Sequence, residues 1–408
     1  MRILMIGAGG VGTAAARIAA RRGFFDHFVV SDYVLSRAQA AVDALGGGAG
    51  DPRFVAARVD ASDERAVAAL LAEHRCDVLL NATDPRFVMP LFRAALAGRA
   101  GYLDMAMSLS RPHPERPYEE CGVKLGDGQF ELAGEWEAAG LLALCGIGVE
   151  PGLSDVFARY AADELFDRIE EIGVRDGADL TVDGYDFAPS FSIWTTIEEC
   201  LNPPVIYQAD RGWYTTAPFS EPEVFDFPAG IGPVECVNVE HEEVLLVPRW
   251  VQADRVTFKY GLGEEFIQVL RTLHQLGLDR TDPVTVDAGG RPAAVSPRDV
   301  VAACLPDPAT LGDRMHGRTC AGTWVRGTKD GRPREVYLYH VVDNDWSMRE
   351  YGSQAVVWQT AINPVIALEL IAAGQWAGAG VLGPEALPPK PFLDLVGAYG
   401  PPWELREQ

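Results

Sequence analysis

The sequence predicts an α/β protein, with a doubly wound parallel sheet first and a mixed-sheet α+β domain behind it. Three observations carry this. The chain opens on an apolar run that stops at three spaced glycines and gives way to a helical pattern. Strand-like and helix-like segments then alternate as far as residue 150. From Ile169 onward the texture changes to short segments of alternating apolar and polar residues.

The opening stretch is Arg2–Gly12, RILMIGAGGVG. Ile3–Ile6 reads as a buried parallel strand, and Val11–Arg22 as a helix closed by Gly23. This is G-x-G-x-x-G in the context its chemistry needs, strand before and helix after. Gly7 permits the tight turn, Gly9 admits a pyrophosphate against the backbone, and Gly12 lets helix and strand pack closely. The N–H groups of the new helix, at Gly10, Val11 and Gly12, face the phosphates. Phe28–Ser31 is the second strand and ends at Asp32, 20 residues past Gly12. An acid there accepts hydrogen bonds from the adenosine ribose and repels a 2′-phosphate, so NAD is favoured. Arg37 could receive that phosphate, so NADP is not excluded.

Arg53–Val59 is the third strand, with Asp60 at its end near the adenine edge. Arg65–Glu73 is an amphipathic helix, and Asp77–Leu80 the fourth strand. The loop leaving it is Asn81-Ala82-Thr83-Asp84-Pro85, and ligands bind beyond the carboxyl ends of such strands. Asn81 and Thr83 are therefore expected beside the nicotinamide ribose. Pro90–Ala97 is a helix, and Gly101–Ala106 a strand that carries Asp104 to the catalytic rim. A helix over Asp127–Ala139, a strand over Leu141–Cys145 and a helix from about Leu153 follow; Glu150 lies between the last two. Repeated alternation of this kind means a doubly wound Rossmann sheet.

Beyond Ile169, strands are expected at Ile172–Arg175, Val224–Phe227, Val234–Val239, Val244–Val247 and Val256–Tyr260. A hairpin should turn at Lys329-Asp330-Gly331. Helices are expected at Glu264–Leu276, after Ser296-Pro297, and from an Asn363-Pro364 cap through Ala373.

Composition limits the function classes. The 408 residues suggest two domains, and 48% hydrophobic with 23% charged residues is ordinary for a globular protein. A net charge of −23 repels nucleic acid and anionic membranes, so neither is an expected partner. The seven cysteines are dispersed, which fits reduced thiols and a cytoplasmic location. The N-terminus already reads as a core strand, so no signal peptide is expected. No membrane-spanning run is expected either.

Several segments together resemble the saccharopine dehydrogenase family, a group that includes the carboxynorspermidine dehydrogenases and lysine 6-dehydrogenases. They are IGAGGVG, NATDPRFVMPLFRAAL, GIGVEPGLSD, WTTIEECLNPPVIY, VEHEE, QTAINPVIALEL and GVLGPE. The resemblance implies a Rossmann NAD(P) domain from residues 1–150 and 350–408, where the C-terminal segment returns. It implies an α+β substrate-binding and dimerisation domain at 151–349, and a homodimer. The implied chemistry is reversible oxidation of a C–N bond in an amino-acid-derived or polyamine-type amine. Glutamate-forming saccharopine dehydrogenase is the first expectation, with lysine 6-dehydrogenase or carboxynorspermidine dehydrogenase as alternatives. A non-catalytic NAD(H)-sensing protein is the alternative of another class.

Such chemistry needs a base and charged anchors. Asp104 and Glu150 end strands at the crevice and could bind a substrate ammonium or relay its proton. His241 in His241-Glu242-Glu243 could be the base, oriented by a glutamate. The spacing is not H-E-x-x-H, so no metal is expected. Trp194, Thr195 and Asn202 lie where the family lines its substrate pocket, and Lys124 and Lys259 could meet substrate carboxylates. In fungal saccharopine reductases an arginine precedes the asparagine of this segment and binds a substrate carboxylate; here that position is Leu201. Leucine cannot replace a bidentate clamp, which puts saccharopine in question.

Overall fold

A computed structural model of the chain describes residues 1–45, 50–185, 187–287 and 289–408. The first sheet is built from β1 (Arg2–Ile6), β2 (His27–Asp32), β3 (Phe54–Arg58), β4 (Val78–Asn81), β5 (Gly101–Asp104) and β6 (Leu142–Leu144). Its spatial order is β3-β2-β1-β4-β5-β6, and a seventh strand, Gly380–Leu382, extends it beyond β6. Every pairing is parallel. Covered on both faces, β1 reads as continuous apolar sequence, and Ile3, Leu4, Met5 and Ile6 are at most 1% exposed. The strand order reverses between β1 and β4, and the crevice beyond their carboxyl ends is where this architecture binds ligands.

The glycine loop leads from β1 into α1 (Gly10–Ala20). A Cβ on Gly12 would lie 1.9 Å from the Gly7 carbonyl oxygen, and one on Gly7, at φ +108°, 2.3 Å from the Ala82 oxygen. Both positions therefore require glycine. A Cβ on Gly9 would meet nothing within 4 Å, which leaves the mouth of the loop open.

The second sheet has nine strands around Arg168–Ala178, which pairs in parallel with Arg255–Gly261 and antiparallel with Arg318–Lys329. Arg318–Lys329 and Arg332–Asp343 form the expected hairpin. It turns on Asp330 and Gly331, at φ +51° and +72°, the paired positive angles of a type I′ turn. The C-terminal segment serves both sheets. Gly380–Leu382 joins the first, while Glu404–Glu407 pairs with Arg332–Asp343 in the second. One continuous hydrophobic core runs through both halves.

Four expectations are corrected. Val244–Val247 is not a strand but part of the helix Glu243–Trp250. All four residues are fully buried, and an uninterrupted apolar run carries no period that separates a strand from a buried helix. Asn363-Pro364 does not open a helix. It lies inside Ala355–Ala372, which is capped by the Gln354 side chain accepting from the Val356 and Val357 N–H groups. The Asn363 amide donates to the Gln359 carbonyl at 2.7 Å and so supports the helix just before the proline. This helix is also long and apolar enough to cross a membrane, contrary to expectation, but 78% of it is buried inside the fold. Finally, Asp127–Ala139 is two short helices, Asp127–Phe130 and Ala133–Ala139.

Candidate active site

A cavity of about 560 Å³ opens between the two sheets. Its first wall is the ligand edge of the parallel sheet: Gly9, Gly10 and Val11, then Asn81 and Thr83, then Asp104 and Glu150. Its second wall comes from the mixed-sheet half: Trp194, Thr195, Glu199, His241, Glu242 and Tyr260. The turn Pro308–Thr310 reaches over the glycine loop, and a Cβ on Gly10 would lie 3.0 Å from the Ala309 methyl.

The first wall fits a dinucleotide. The N–H groups of Gly10, Val11 and Gly12 precede the first intrahelical bond, Thr13 N–H to the Gly9 carbonyl at 2.9 Å. Helix α1 has no side-chain cap. Asn81 shapes the turn after β4: its Oδ1 accepts from the Thr83 N–H at 3.0 Å and the Thr83 hydroxyl at 2.7 Å. Asp32 closes β2, accepting from the Ala8 N–H at 3.0 Å and the Val34 N–H at 2.8 Å. It ties the glycine loop to the end of β2. Asp60 lies outside the cavity, exposed, and accepts from the Ser62 N–H and hydroxyl.

Asp104 is 1% exposed and accepts from the Gly146 N–H at 2.7 Å and the Gln129 amide at 2.8 Å. Burial pushes it up to about 7, against the pull of the Gly146 N–H. It fastens β5 to the turn after β6. That turn then delivers Glu150. Gly152, at φ +137°, could not carry a Cβ, which would sit 2.1 Å from the Gly148 oxygen. The loop is thus folded tightly on itself, and Glu150 points into the cavity. Burial drives the Glu150 carboxyl well above its ordinary range, and a hydrogen bond shared with Asp176 drives it further. Burial also raises Asp176. The two carboxyls face one another, both raised by burial, and Glu150 Oε2 accepts no hydrogen bond from the described residues.

Across from this pair stands His241. Its ring stacks face to face on Phe258, centroids 3.7 Å apart, and Nδ1 meets Glu243 Oε2 at 2.5 Å. Burial alone would lower its pKa, but Glu243, Glu242 and Glu199 outweigh it and push the imidazole up to about 10. His241 is therefore an imidazolium at neutral pH. His241, Glu242 and Glu243 offer ligand-type atoms within 4.8 Å of one another, but Nδ1 and Glu243 Oε2 are already engaged with each other. Glu242 accepts from the Met107 N–H at 3.1 Å, and its second oxygen is buried without a hydrogen bond, 3.4 Å from the His241 Nδ1. Burial, then Glu242 and Glu243, raise Glu199 to about 8, with His241 pulling the other way.

Trp194 lies between two guanidinium groups, Arg86 at 4.6 Å and Arg298 at 4.7 Å from its ring, and donates to Asp299 at 3.1 Å. Thr195 is beside it on the helix Ile193–Leu201. Asn202 is not on the cavity wall; its amide donates to Glu240 at 2.9 Å and Glu198 at 3.1 Å, fixing the helix end. Neither lysine reaches the cavity. Lys259 is buried against Glu223 at 2.6 Å, and Lys124 pairs with Asp127 at 3.0 Å. Among the described residues no lysine or arginine lines the cavity.

Asp176, Glu199 and Tyr260 were not singled out from the sequence. Asp176 had a signal: it falls on the face of its strand shared with Ile172 and Val174, where alternation predicts an apolar side chain. Glu199 was hidden beside Glu198, and only the helix phase separates them. Glu198 binds Arg298, and Glu199 faces the cavity.

The sequence model of the saccharopine dehydrogenase NADP binding domain matches residues 3–144, and that of the saccharopine dehydrogenase C-terminal domain matches residues 148–400. Carboxynorspermidine synthase of Vibrio cholerae is 29% identical, covering 100% of this chain and 97% of the relative. Carboxyaminopropylagmatine dehydrogenase of Synechocystis is 30% identical, covering 98% and 96%. Among solved structures, saccharopine dehydrogenase (L-Glu forming) from Saccharomyces cerevisiae aligns with a TM-score of 0.70 at 15% identity, over 100% of this chain and 99% of that one. The chain is an NAD(P)-binding α/β protein and belongs to the saccharopine dehydrogenase family.

Proposed function

We propose that the chain is an NAD(P)-dependent oxidoreductase acting on the C–N bond of a carboxylated polyamine, the substrate type that its carboxynorspermidine and carboxyaminopropylagmatine relatives are named for. The observation that carries this is the charge of the cavity. Carboxyls of Glu150, Glu199 and Glu242 line it, and among the described residues no lysine or arginine does, which leaves His241 as the one cation there. Such a wall favours a substrate with several amines and a single carboxylate. Saccharopine, the first expectation, is a tricarboxylate; it would leave carboxylates facing carboxylates, and Leu201 stands where an arginine clamp is needed.

When bound, the dinucleotide supplies the carbon that takes or gives hydride. The chain does the rest. Glu150 and Asp176 hold one proton between them and exchange it with the amine nitrogen. In oxidation the pair accepts the ammonium proton, so that the nitrogen lone pair can assist hydride loss from the adjacent carbon. That proton leaves to solvent, and the pair, again holding one, accepts a proton from the water that attacks the iminium carbon and returns it to the departing amine. The imidazolium of His241 holds the substrate carboxylate. Trp194 and Thr195 border the alkyl chain and keep water out. Asn81 and Thr83 shape the turn that seats the nicotinamide ribose. Asp104 acts through the Gly146 turn, as a positioning residue. Asp32 leaves an acid at the ribose edge, which favours NAD over NADP.

The test follows reduced-nicotinamide absorbance with a carboxylated polyamine, saccharopine and lysine in parallel. Turnover of the polyamine above the other two supports the reading. Tight NAD(H) binding with no turnover of any amine would support a sensor instead.

A further inference from the structure

The substrate-side wall holds more negative charge than one reacting amine can neutralise. Five carboxyls surround the imidazolium: Glu150, Asp176, Glu199, Glu242 and Glu243. One proton is shared by Glu150 and Asp176, and His241 offsets one charge. With Glu199 ionised as well, the state in which it meets an ammonium, three negative charges are left. The reacting amine meets one of them, at the Glu150–Asp176 pair. Two of the others are carboxyls with free acceptor capacity. Glu199 lines the cavity from the helix Ile193–Leu201, and among the described residues its side chain accepts no hydrogen bond. Glu242 is 5% exposed, lines the same cavity, and has one oxygen that accepts no hydrogen bond, 3.4 Å from the His241 Nδ1. A buried oxygen without a donor is costly, and a ligand N–H would recover that cost.

We infer that Glu199, backed by Glu242, anchors a second ammonium of the substrate, and that Glu199 is the residue by which this site selects diamines over monoamines. The inference rests on the polyamine reading above and adds to it a specificity residue. Glu199 comes from the mixed-sheet half, opposite the glycine loop, whereas Glu150 comes from the dinucleotide edge. The two carboxyls thus divide the amines between them, the reacting one at Glu150 and the remote one at Glu199.

Binding should be linked to protons. The titratable groups around Glu199 are His241, Glu242 and Glu243 from the adjoining loop, Glu150 from the opposite wall, and Tyr260 from the neighbouring strand. On its own helix stand Glu198, paired with Arg298, and Cys200. Of these only His241 is cationic. Glu199 is therefore largely protonated in the empty site at neutral pH, and an ammonium arriving beside it expels that proton.

The experiment titrates the full chain, loaded with NAD⁺, with diaminopropane and with propylamine. It is done calorimetrically in buffers of low and high ionisation enthalpy. The expected result is diamine binding about tenfold tighter than monoamine binding, with close to one proton released. Glu199→Gln should lower diamine affinity about tenfold, abolish the proton release, leave propylamine and NAD⁺ affinity unchanged, and be partly rescued by Glu199→Asp. In wild type the ratio of diamine to monoamine affinity should also rise as pH passes through about 8. Equal affinity for both amines, or proton release that survives in Glu199→Gln, overturns the inference. Turnover assays separate it from the functional reading. If Glu199 governs diamine binding but no carboxylated diamine reacts, the reading falls and the anchor stands. If such a substrate reacts with the same KM in Glu199→Gln, the anchor falls and the reading stands.

Discussion

Replacing Glu243 with glutamine should convert the cavity's one cation into a neutral imidazole. His241 is held at about 10 by Glu243 at 2.5 Å, with burial opposing and Glu242 and Glu199 assisting. The rise from 6.5 to about 10 corresponds to about 5 kcal/mol favouring the charged ring. Because the folded value lies above the unfolded one, this contribution is complete below pH 6.5 and is lost as pH climbs through 10. Wild-type stability should therefore decline across that interval. In Glu243→Gln the nearest negative charge is gone while burial remains, so the imidazole pKa should fall by roughly three units or more, to neutrality or below. Removing one partner of a buried pair costs about 3–5 kcal/mol, so the denaturation midpoint near neutrality should drop correspondingly. The assay is urea unfolding as a function of pH, with the His241 ring titrated by NMR. A variant whose pH profile matches wild type would refute the reasoning, as would a wild-type His241 that titrates near 6.5.

Gly12→Ala places a methyl 1.9 Å from the Gly7 oxygen, so α1 must retreat from β1. Overpacking of this kind costs about 1–3 kcal/mol, read as a lowered Tm, and NAD(H) titration should show at least tenfold weaker binding. Asp32→Ala should weaken NAD more than NADP, because the variant loses the ribose acceptor and also the charge that repels a 2′-phosphate; fluorescence titration of both cofactors checks the ratio. Asp155 and Glu385 are fully buried, and burial raises Glu385 from 4.5 to about 7. Because the folded value lies above the unfolded one, that contribution is complete below pH 4.5 and lost as pH rises through 7, so Glu385→Gln should flatten the fall in Tm between pH 4.5 and 7. Trp194→Ala removes the surface shared by Arg86 and Arg298. At about 0.5–1 kcal/mol per stacked guanidinium, it should raise KM by about an order of magnitude while NAD(H) affinity holds.

The dinucleotide half was legible because its signals are local. The spacing of Gly7, Gly9 and Gly12, the acid at Asp32 and the loop after Asn81 each report a backbone requirement within one strand–turn–helix unit. The DG turn at Asp330-Gly331 was legible for the same reason. The substrate wall was not, because its parts meet only in three dimensions. Asp176 reaches Glu150 from another sheet, and the phase of one helix decides that Glu199 rather than Glu198 faces the cavity. His241 was found, but its role changed: a sequence shows a histidine near pH 7, and only the Glu243 contact makes it a permanent cation. Asn202 and Lys259 illustrate the converse. Both are polar groups in suggestive segments, and both are engaged in buried structural contacts.

The most direct test of the central claim mixes the purified chain, a diamine, an aldehyde-bearing amino acid and reduced nicotinamide, and follows loss of the reduced cofactor. The account predicts consumption that requires both amine groups of the diamine and is not supported when glutamate replaces the diamine, the pairing a glutamate-forming saccharopine dehydrogenase would join. Faster consumption with glutamate than with any diamine would contradict it.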